Sequence, residues 1–339
     1  MSRSGEQSQG VFQYRFGNPG AVLKVENLPP PRSPGEGEVC VRVHRAAVHP
    51  GDLQLIAGAY GGSGDVIPGG RTPGTEGSGV IEAAAPGVLA DTGLEIGSRV
   101  AFFASAAWQK RVNVPVDAVV AIPDGLSDDI AAQILTNTIT ARHVLRVGLR
   151  GLARQPAHLL QTAAGSATGR LLTVFALEAG IRPYRLVRSP QSGERLAALL
   201  PGGDIIDTSD ATWIDRVRAG CGGGVPLIID AVGGPLIEQL LQLVSMQGYI
   251  VSYGLLEGGP ADLKGVLGKV AVLRGVSIAT WRCDTSAEQR AGDMAAAVQV
   301  AQQQPGLFGS PPAFALTDLG AALHAANDPK RTGNILLSF

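Results

Sequence analysis

Between residues 157 and 253, short apolar runs and helical signals take turns. Residues 157–162, 183–187, 226–232 and 249–253 read as strands with little polar alternation. Residues 169–179, 192–200, 213–219 and 236–244 have helical spacing. A strand that is apolar on both sides needs cover on both faces, and parallel neighbours need a crossover, usually a helix. The pattern therefore predicts an α/β fold built on a doubly wound parallel sheet.

The flanking regions have a different texture. Val39, Val41 and Val43 alternate with Cys40, Arg42 and His44, which is strand periodicity. Further short runs at 79–83, 99–103, 111–114 and 118–122, set among Gly and Pro, predict a β-rich module resembling a distorted barrel. After Pro123-Asp124-Gly125, Ser127 or Asp128 is placed to cap a helix running to about residue 147. The mixed texture returns near residue 276, with helices expected at 286–303 and 316–326 and a strand at 334–338. A β-rich domain interrupted by an α/β domain follows, with boundaries at 1–127 and 277–339 for the first and 128–276 for the second.

Composition removes several classes of function. Of 339 residues, 45% are apolar and 17% charged, enough to build a large core. Lys and Arg total 28 against 29 Asp and Glu, so the basic excess of a nucleic-acid or anionic-membrane binder is missing. No apolar run has the ~20 residues of a membrane helix. The first ten residues are polar, reading as a frayed tail and not as a secretory signal. Cys40, Cys221 and Cys283 are dispersed, which fits a reducing, cytoplasmic setting better than a disulfide framework.

The first strand of the α/β region runs into Thr162, Ala163, Ala164, Gly165, Ser166, Ala167, Thr168 and Gly169. Small residues between a strand and a helix let backbone N–H groups and the helix N-terminus approach a pyrophosphate. Only Gly165 and Gly169 remain of the G-x-G-x-x-G fingerprint, so the match is degenerate. The next strand, expected to end beside the adenosine ribose, stops at Arg188-Ser189 with no Asp or Glu there. An arginine pairs with phosphate oxygens where a carboxylate would repel them. This residue choice favours NADPH over NADH. Asp230-Ala231-Val232-Gly233-Gly234 and Tyr253-Gly254-Leu255 fall at later strand ends, where open α/β sheets bind ligands.

These features occur in order with others: Val48-His49-Pro50-Gly51-Asp52-Leu53, Gly58-Ala59-Tyr60, Pro73-Gly74-Thr75-Glu76-Gly77, Gly97-Ser98-Arg99-Val100 and Leu135-Thr136-Asn137-Thr138. With Leu186-Val187-Arg188, Tyr253-Gly254 and Arg274-Gly275, the series resembles the medium-chain dehydrogenase/reductases. Within them it is most similar to zinc-independent trans-2-enoyl thioester reductases of the mitochondrial type. The resemblance implies a GroES-like catalytic domain around a Rossmann domain, with substrate in the cleft between them.

Carried over by position, the resemblance makes Tyr60 the catalytic residue and Asn137 a polar cofactor-site residue. Gly165, Ser166, Ala167, Thr168 and Gly169 become the pyrophosphate turn, and Arg188, Ser189 and Pro190 the 2′-phosphate loop. Tyr253, Gly254, Leu255 and Leu256 become a nicotinamide-side loop, and Val276, Ser277, Ile278 and Ala279 a further pocket segment. His49, Phe103 and Trp281 are assigned to the substrate pocket, with Phe102 and Trp108 as further candidate walls. The departures are His49 where the family has Asn, Ala167 where it has Gly, and Asn334 where a basic residue is expected to touch the cofactor. A homodimer joined along the Rossmann sheet edge is also implied.

Thr75 stands where zinc-dependent members place a His, and no Cys lies near His49, Asp52 or Glu76. Catalytic zinc needs three protein ligands, so no metal site is expected. The chemistry implied is hydride transfer from NADPH to the β-carbon of a 2-enoyl thioester, carried by CoA or an acyl carrier protein, with protonation at the α-carbon. A phenol with pKa near 10 is protonated at neutral pH and can donate that proton. A zinc-free quinone or enone reductase and a non-catalytic NADPH-binding protein remain as alternatives, with alcohol or aldehyde chemistry behind them.

Overall fold

The computed structural model describes residues 8–60, 66–328, 331 and 333–339. The chain forms two compact units, Met1–Thr136 with Met294–Phe339, and Asn137–Asp293. The sequence reading put the joins at 127/128 and 276/277. The second unit extends past 277 because Trp281 and Asp293 both lie in it, and the Trp281 indole N–H donates to a buried Asp293 oxygen at 2.9 Å.

The first unit is built on strand Glu38–Val48. It pairs antiparallel with Glu76–Ala84, Arg111–Pro115 and Ile335–Ser338. The seven-stranded sheet runs Ala313–Ala315, Ile335–Ser338, Glu38–Val48, Glu76–Ala84, Arg99–Phe103 and Val119–Ala121, with Arg111–Pro115 off this path. Register shifts near Cys40 and Val43 mark irregular pairing, the kind of bulge that bends a sheet. Val39, Val41 and Val43 are buried as their alternation predicts, and the last strand returns the chain to this core beside Ala46. A separate antiparallel sheet orders Leu23–Leu28, Ser8–Arg15 and Val66–Arg71. Residues 8–10, read as part of a frayed tail, are instead strand, with Ser8 and Gly10 buried; residues 1–7 of that tail lie outside the described residues.

The second unit carries a six-stranded, all-parallel sheet. Its order is Asp204–Asp207, Arg182–Val187, His158–Gln161, Val225–Asp230, Val244–Ser252 and Val272–Gly275. Numbered along the chain, this is the 3-2-1-4-5-6 order of a Rossmann fold, with the strand order reversing between His158–Gln161 and Val225–Asp230. Helices Ala167–Glu178, Pro190–Leu199, Trp213–Cys221 and Leu236–Leu243 fill the crossovers. Leu160, Leu186, Ile228, Ile250 and Leu240 form one buried cluster, as continuous apolar strands require.

Candidate cofactor and catalytic sites

In a parallel sheet every strand ends on the same edge, so topology alone gathers the segments that follow the strands. Thr162, Arg188, Asp230, Tyr253 and Val276 follow or close successive strands of this sheet. The edge is knitted by backbone bonds: Ala164 N–H donates to Leu186 O at 3.1 Å, Tyr253 N–H to Asp230 O at 2.9 Å and Val276 N–H to Ser252 O at 2.8 Å.

At the strand-order reversal, Thr162 Oγ donates to Asp230 Oδ1 at 2.8 Å and accepts from Ala231 N–H at 2.8 Å. Asp230 also accepts from Val232 N–H and Gly233 N–H at 3.0 and 2.9 Å, which fixes the turn after its strand. Burial raises the Asp230 carboxyl above its ordinary value, opposed by these donors. Burial, with the Asp230 charge second, likewise raises the Tyr253 phenol. At Gly254 an added Cβ would meet Ala231 O at 2.6 Å, so a side chain there would push the two strand ends apart. Leu255 and Leu256 beyond it are exposed, as are Ser277 and Ala279 after the last strand, while Val276 and Ile278 are half-buried.

The turn into helix Ala167–Glu178 is closed by Ser166, whose Oγ accepts from Gly169 N–H at 3.0 Å. This is ordinary N-capping and explains why a serine suits the turn. An added Cβ at Gly169 would lie 2.4 Å from Ala163 O, so the helix start packs directly on the turn. Gln161 Nε2 donates to Gly169 O and to Thr173 Oγ, locking strand to helix. Gly165 is exposed, and a Cβ there would meet nothing within 4 Å. Ala163 sits at φ 48°, a left-handed conformation that costs a non-glycine residue roughly 1–2 kcal/mol. Thr168 Oγ donates to Asn137 Oδ1 at 2.9 Å, which brings this predicted pair together.

Arg188 is exposed where strand Arg182–Val187 ends, and Ser189 caps the next helix by accepting from Ser192 N–H at 3.3 Å. An open small-residue turn at a helix N-terminus, followed by a basic residue at the second strand end, fits a dinucleotide with a 2′-phosphate. The buried Nε of Arg170, which has no hydrogen-bond partner, adds an unanswered positive group one residue beyond the turn.

In the first unit, helix Pro50–Ala57 ends at left-handed Gly58, and Tyr60 follows it. Tyr60 is 51% exposed, and its hydroxyl donates to Gln54 Oε1. Partial burial, then the Asp52 charge, raises the phenol above 10. His49 caps the same helix; its backbone N–H donates to Asp52 Oδ2 at 3.0 Å, and Thr75 Oγ donates to Asp52 Oδ1 at 3.1 Å. Its Nε2 donates to Glu76 Oε1 at 2.6 Å, both side chains being buried. Among the described residues no group of three or more His, Cys, Asp or Glu is arranged to hold a metal ion.

Other predicted site residues fall elsewhere. Trp281 has no exposed surface and is tied to Asp293, so as it stands it is core and not a pocket wall. Phe102 and Trp108 are also fully buried, with the Trp108 indole donating to Ala47 O at 2.9 Å, whereas Phe103 is half-buried. Asn334 belongs to the first unit, buried, with Nδ2 donating to Gln133 at 3.0 Å. Sequence reading missed Glu76 as the partner of His49, and Arg170. The Gly-x-Glu turn signalled the first, while a single Arg in an apolar helix gave no motif for the second.

A GroES-like β domain joined to a Rossmann domain is the architecture of the medium-chain dehydrogenase/reductases. Residues 35–124 match the alcohol dehydrogenase GroES-like domain family. The human synaptic vesicle membrane protein VAT-1 homolog is 28% identical over 240 residues, 69% of this chain and 58% of that protein. The mitochondrial enoyl-[acyl-carrier-protein] reductase of Bos taurus is 26% identical over 303 residues, 85% and 78% of the two chains. The quinone oxidoreductase of Pseudomonas aeruginosa is 29% identical over 248 residues, 72% of each. Among solved structures, a Bacillus thuringiensis chain assigned as an NADPH:quinone reductase is 27% identical at TM-score 0.84, covering 99% of this chain and 100% of that one. Escherichia coli quinone oxidoreductase complexed with NADPH shares the fold at TM-score 0.79 and 20% identity, covering 98% and 100%. The chain is similar to the medium-chain dehydrogenase/reductases, with a GroES-like domain match in its first unit and the Rossmann strand order in its second.

Proposed function

We propose that this protein is an NADPH-dependent oxidoreductase that reduces an activated C=C bond, with a 2-enoyl thioester as substrate. The observation that carries the cofactor half is the exposed Arg188 closing the second Rossmann strand, where a carboxylate would select against a 2′-phosphate. Solved relatives bound to NADPH support it.

When bound on these residues, NADPH would supply the hydride. The chain's own groups handle binding and the proton. Gly165 to Gly169 present the helix N-terminus to the diphosphate, and Arg188 with the Ser189 cap receives the 2′-phosphate. Asp230 and Gly254 keep two neighbouring strand ends close, which leaves the nicotinamide side lined by backbone. As charge grows on the thioester oxygen, a proton must reach the α-carbon. Tyr60 remains protonated throughout the neutral range, because its phenol is raised further, and it is assigned as the donor. The substrate carbonyl already delocalises the enolate, so the chemistry needs no metal.

A second reading, a quinone or enone reductase, is favoured by the quinone oxidoreductases among the relatives. It uses the same cofactor residues and dispenses with a CoA or carrier-protein groove. Comparing turnover of crotonyl-CoA with that of a quinone, NADPH held constant, separates the two.

A homodimer is proposed along the outer edge of strand Val272–Gly275. Leu267, Val270 and Val272 are 84%, 61% and 43% exposed there. Exposed apolar residues beside an edge strand are a pairing surface. Light scattering of the purified protein tests it, and a monomeric mass contradicts it.

A further inference from the structure

Arg170 is only 7% exposed, in a helix whose next six residues, Leu171 to Ala176, are all buried. Its side chain has no ion pair and no hydrogen bond among the described residues, and the buried Nε is orphaned. The other buried or half-buried arginines of this unit each have at least one partner, although Arg185 Nε and Arg146 Nη1 are orphaned as well. Arg185 donates to Leu200 O at 2.7 Å and Gly203 O at 3.3 Å, while Arg142 and Arg146 meet Asp293 at 2.6 and 2.5 Å. Burial lowers the Arg170 pKa, yet a guanidinium starts so high that it stays charged at any physiological pH. An uncompensated buried cation is among the costliest features a fold can keep, and an apolar residue would pack better.

The position of this charge says what answers it. Arg170 lies in the first turn of a twelve-residue helix, directly after Gly169. Helical side chains lean back toward the helix N-terminus, and one turn rises about 5.4 Å, within the reach of an arginine. From this position an arginine side chain can reach back to the N–H groups offered to an anion. Of the first-turn donors, Ser166 Oγ already occupies Gly169 N–H at 3.0 Å, and Arg170 N–H makes the first intrahelical bond to Ser166 O at 2.9 Å. Ala167 stands where a glycine would admit closer approach.

We propose that Arg170 is a cofactor-binding residue whose guanidinium, buried and unpartnered at Nε, is the counter-charge for the dinucleotide diphosphate seated on the 165–169 turn. The assignment rests on the NADPH reading above and adds the group that compensates for the depleted glycine turn. The diphosphate is common to NADPH and NADH, so both should depend on Arg170 alike.

The test compares wild type with Arg170→Met and Arg170→Lys, measuring fluorescence titration with each nucleotide and thermal unfolding without nucleotide. Arg170→Met should unfold at a higher temperature than wild type yet bind both nucleotides roughly 10- to 100-fold more weakly, the worth of a charged hydrogen bond. Unchanged affinities, or a lowered unfolding temperature with unchanged affinities, overturn the assignment. A loss confined to NADPH also overturns it, by moving the contact to the 2′-phosphate. Should Arg170→Met not fold, Arg170→Lys decides: weaker binding of both nucleotides supports the assignment, and wild-type binding refutes it. If wild type binds neither nucleotide, the NADPH reading itself fails and the assignment falls with it.

Discussion

His49 Nε2 lies 2.6 Å from Glu76 Oε1, and the other oxygen of Glu76 accepts from Leu135 and Thr136 N–H at 2.8 and 2.9 Å. One carboxylate therefore joins the start of helix Pro50–Ala57 to the start of helix Leu135–Arg150. Glu76 completes the orphan donors at a helix N-terminus, where negative charge is favoured. The segment that leads to Tyr60 is anchored through this pair.

The pair makes stability depend on pH with a definite sign. Burial opposes the charged imidazole, but the hydrogen bond and charge of Glu76, with Asp52 adding to them, leave the folded His49 pKa raised. A raised folded value means the stabilisation is fully present below the unfolded value of about 6.5 and is lost as pH rises through the folded one. The unfolding temperature of wild type should fall across that window more than that of His49→Gln. The variant should itself be about 3 kcal/mol less stable at mildly acidic pH, as expected when one partner of a buried pair is removed. Parallel pH profiles for the two proteins would contradict this.

Arg188→Ala should weaken NADPH by roughly 10-fold or more, the worth of a charge-assisted phosphate contact, and leave NADH nearly unchanged. Paired nucleotide titrations check it. Equal weakening of both would remove Arg188 from the 2′-phosphate.

Tyr60→Phe should lower kcat by roughly 100-fold, the usual range for a lost general acid, without altering the Kd for NADPH. Loss of the bond to Gln54 is not expected to unfold a half-exposed side chain. Wild-type kcat in the variant would exclude the phenol from proton transfer.

Gly169→Ala places a Cβ against Ala163 O, where the neighbour is backbone and cannot swing away. The helix start must shift, at a cost of about 1–3 kcal/mol in unfolding free energy. Chemical denaturation measures that cost, and nucleotide titration should show weaker binding of NADPH and NADH together. Unaltered stability would mean that the turn is looser than its contacts indicate.

The parallel sheet was legible because continuous apolar strands carry a strong signal; the helix after the degenerate turn begins at Ala167, two residues before the expected start at Gly169. The edge strands were less so: Asp204-Ile205-Ile206-Asp207 has only two apolar residues, and Val272–Gly275 follows a helix with no turn motif. The helix expected from about residue 128 breaks into Asp128–Ala131 and Leu135–Arg150, and Glu76, distant in sequence, caps the second piece. Aromatic identity misled at Trp281: a large ring suits a pocket wall or a core equally, and the deciding partner, Asp293, is visible only in the fold. Arg170 is the converse, since an arginine in an apolar helix declares nothing until its lack of partners is seen.

The most direct measurement follows NADPH consumption by the purified protein with a 2-enoyl thioester, an enone and a quinone in parallel. The account predicts saturable oxidation of NADPH with the thioester as the preferred acceptor and formation of the saturated product. NADPH that binds but is never oxidised by any activated alkene would contradict it.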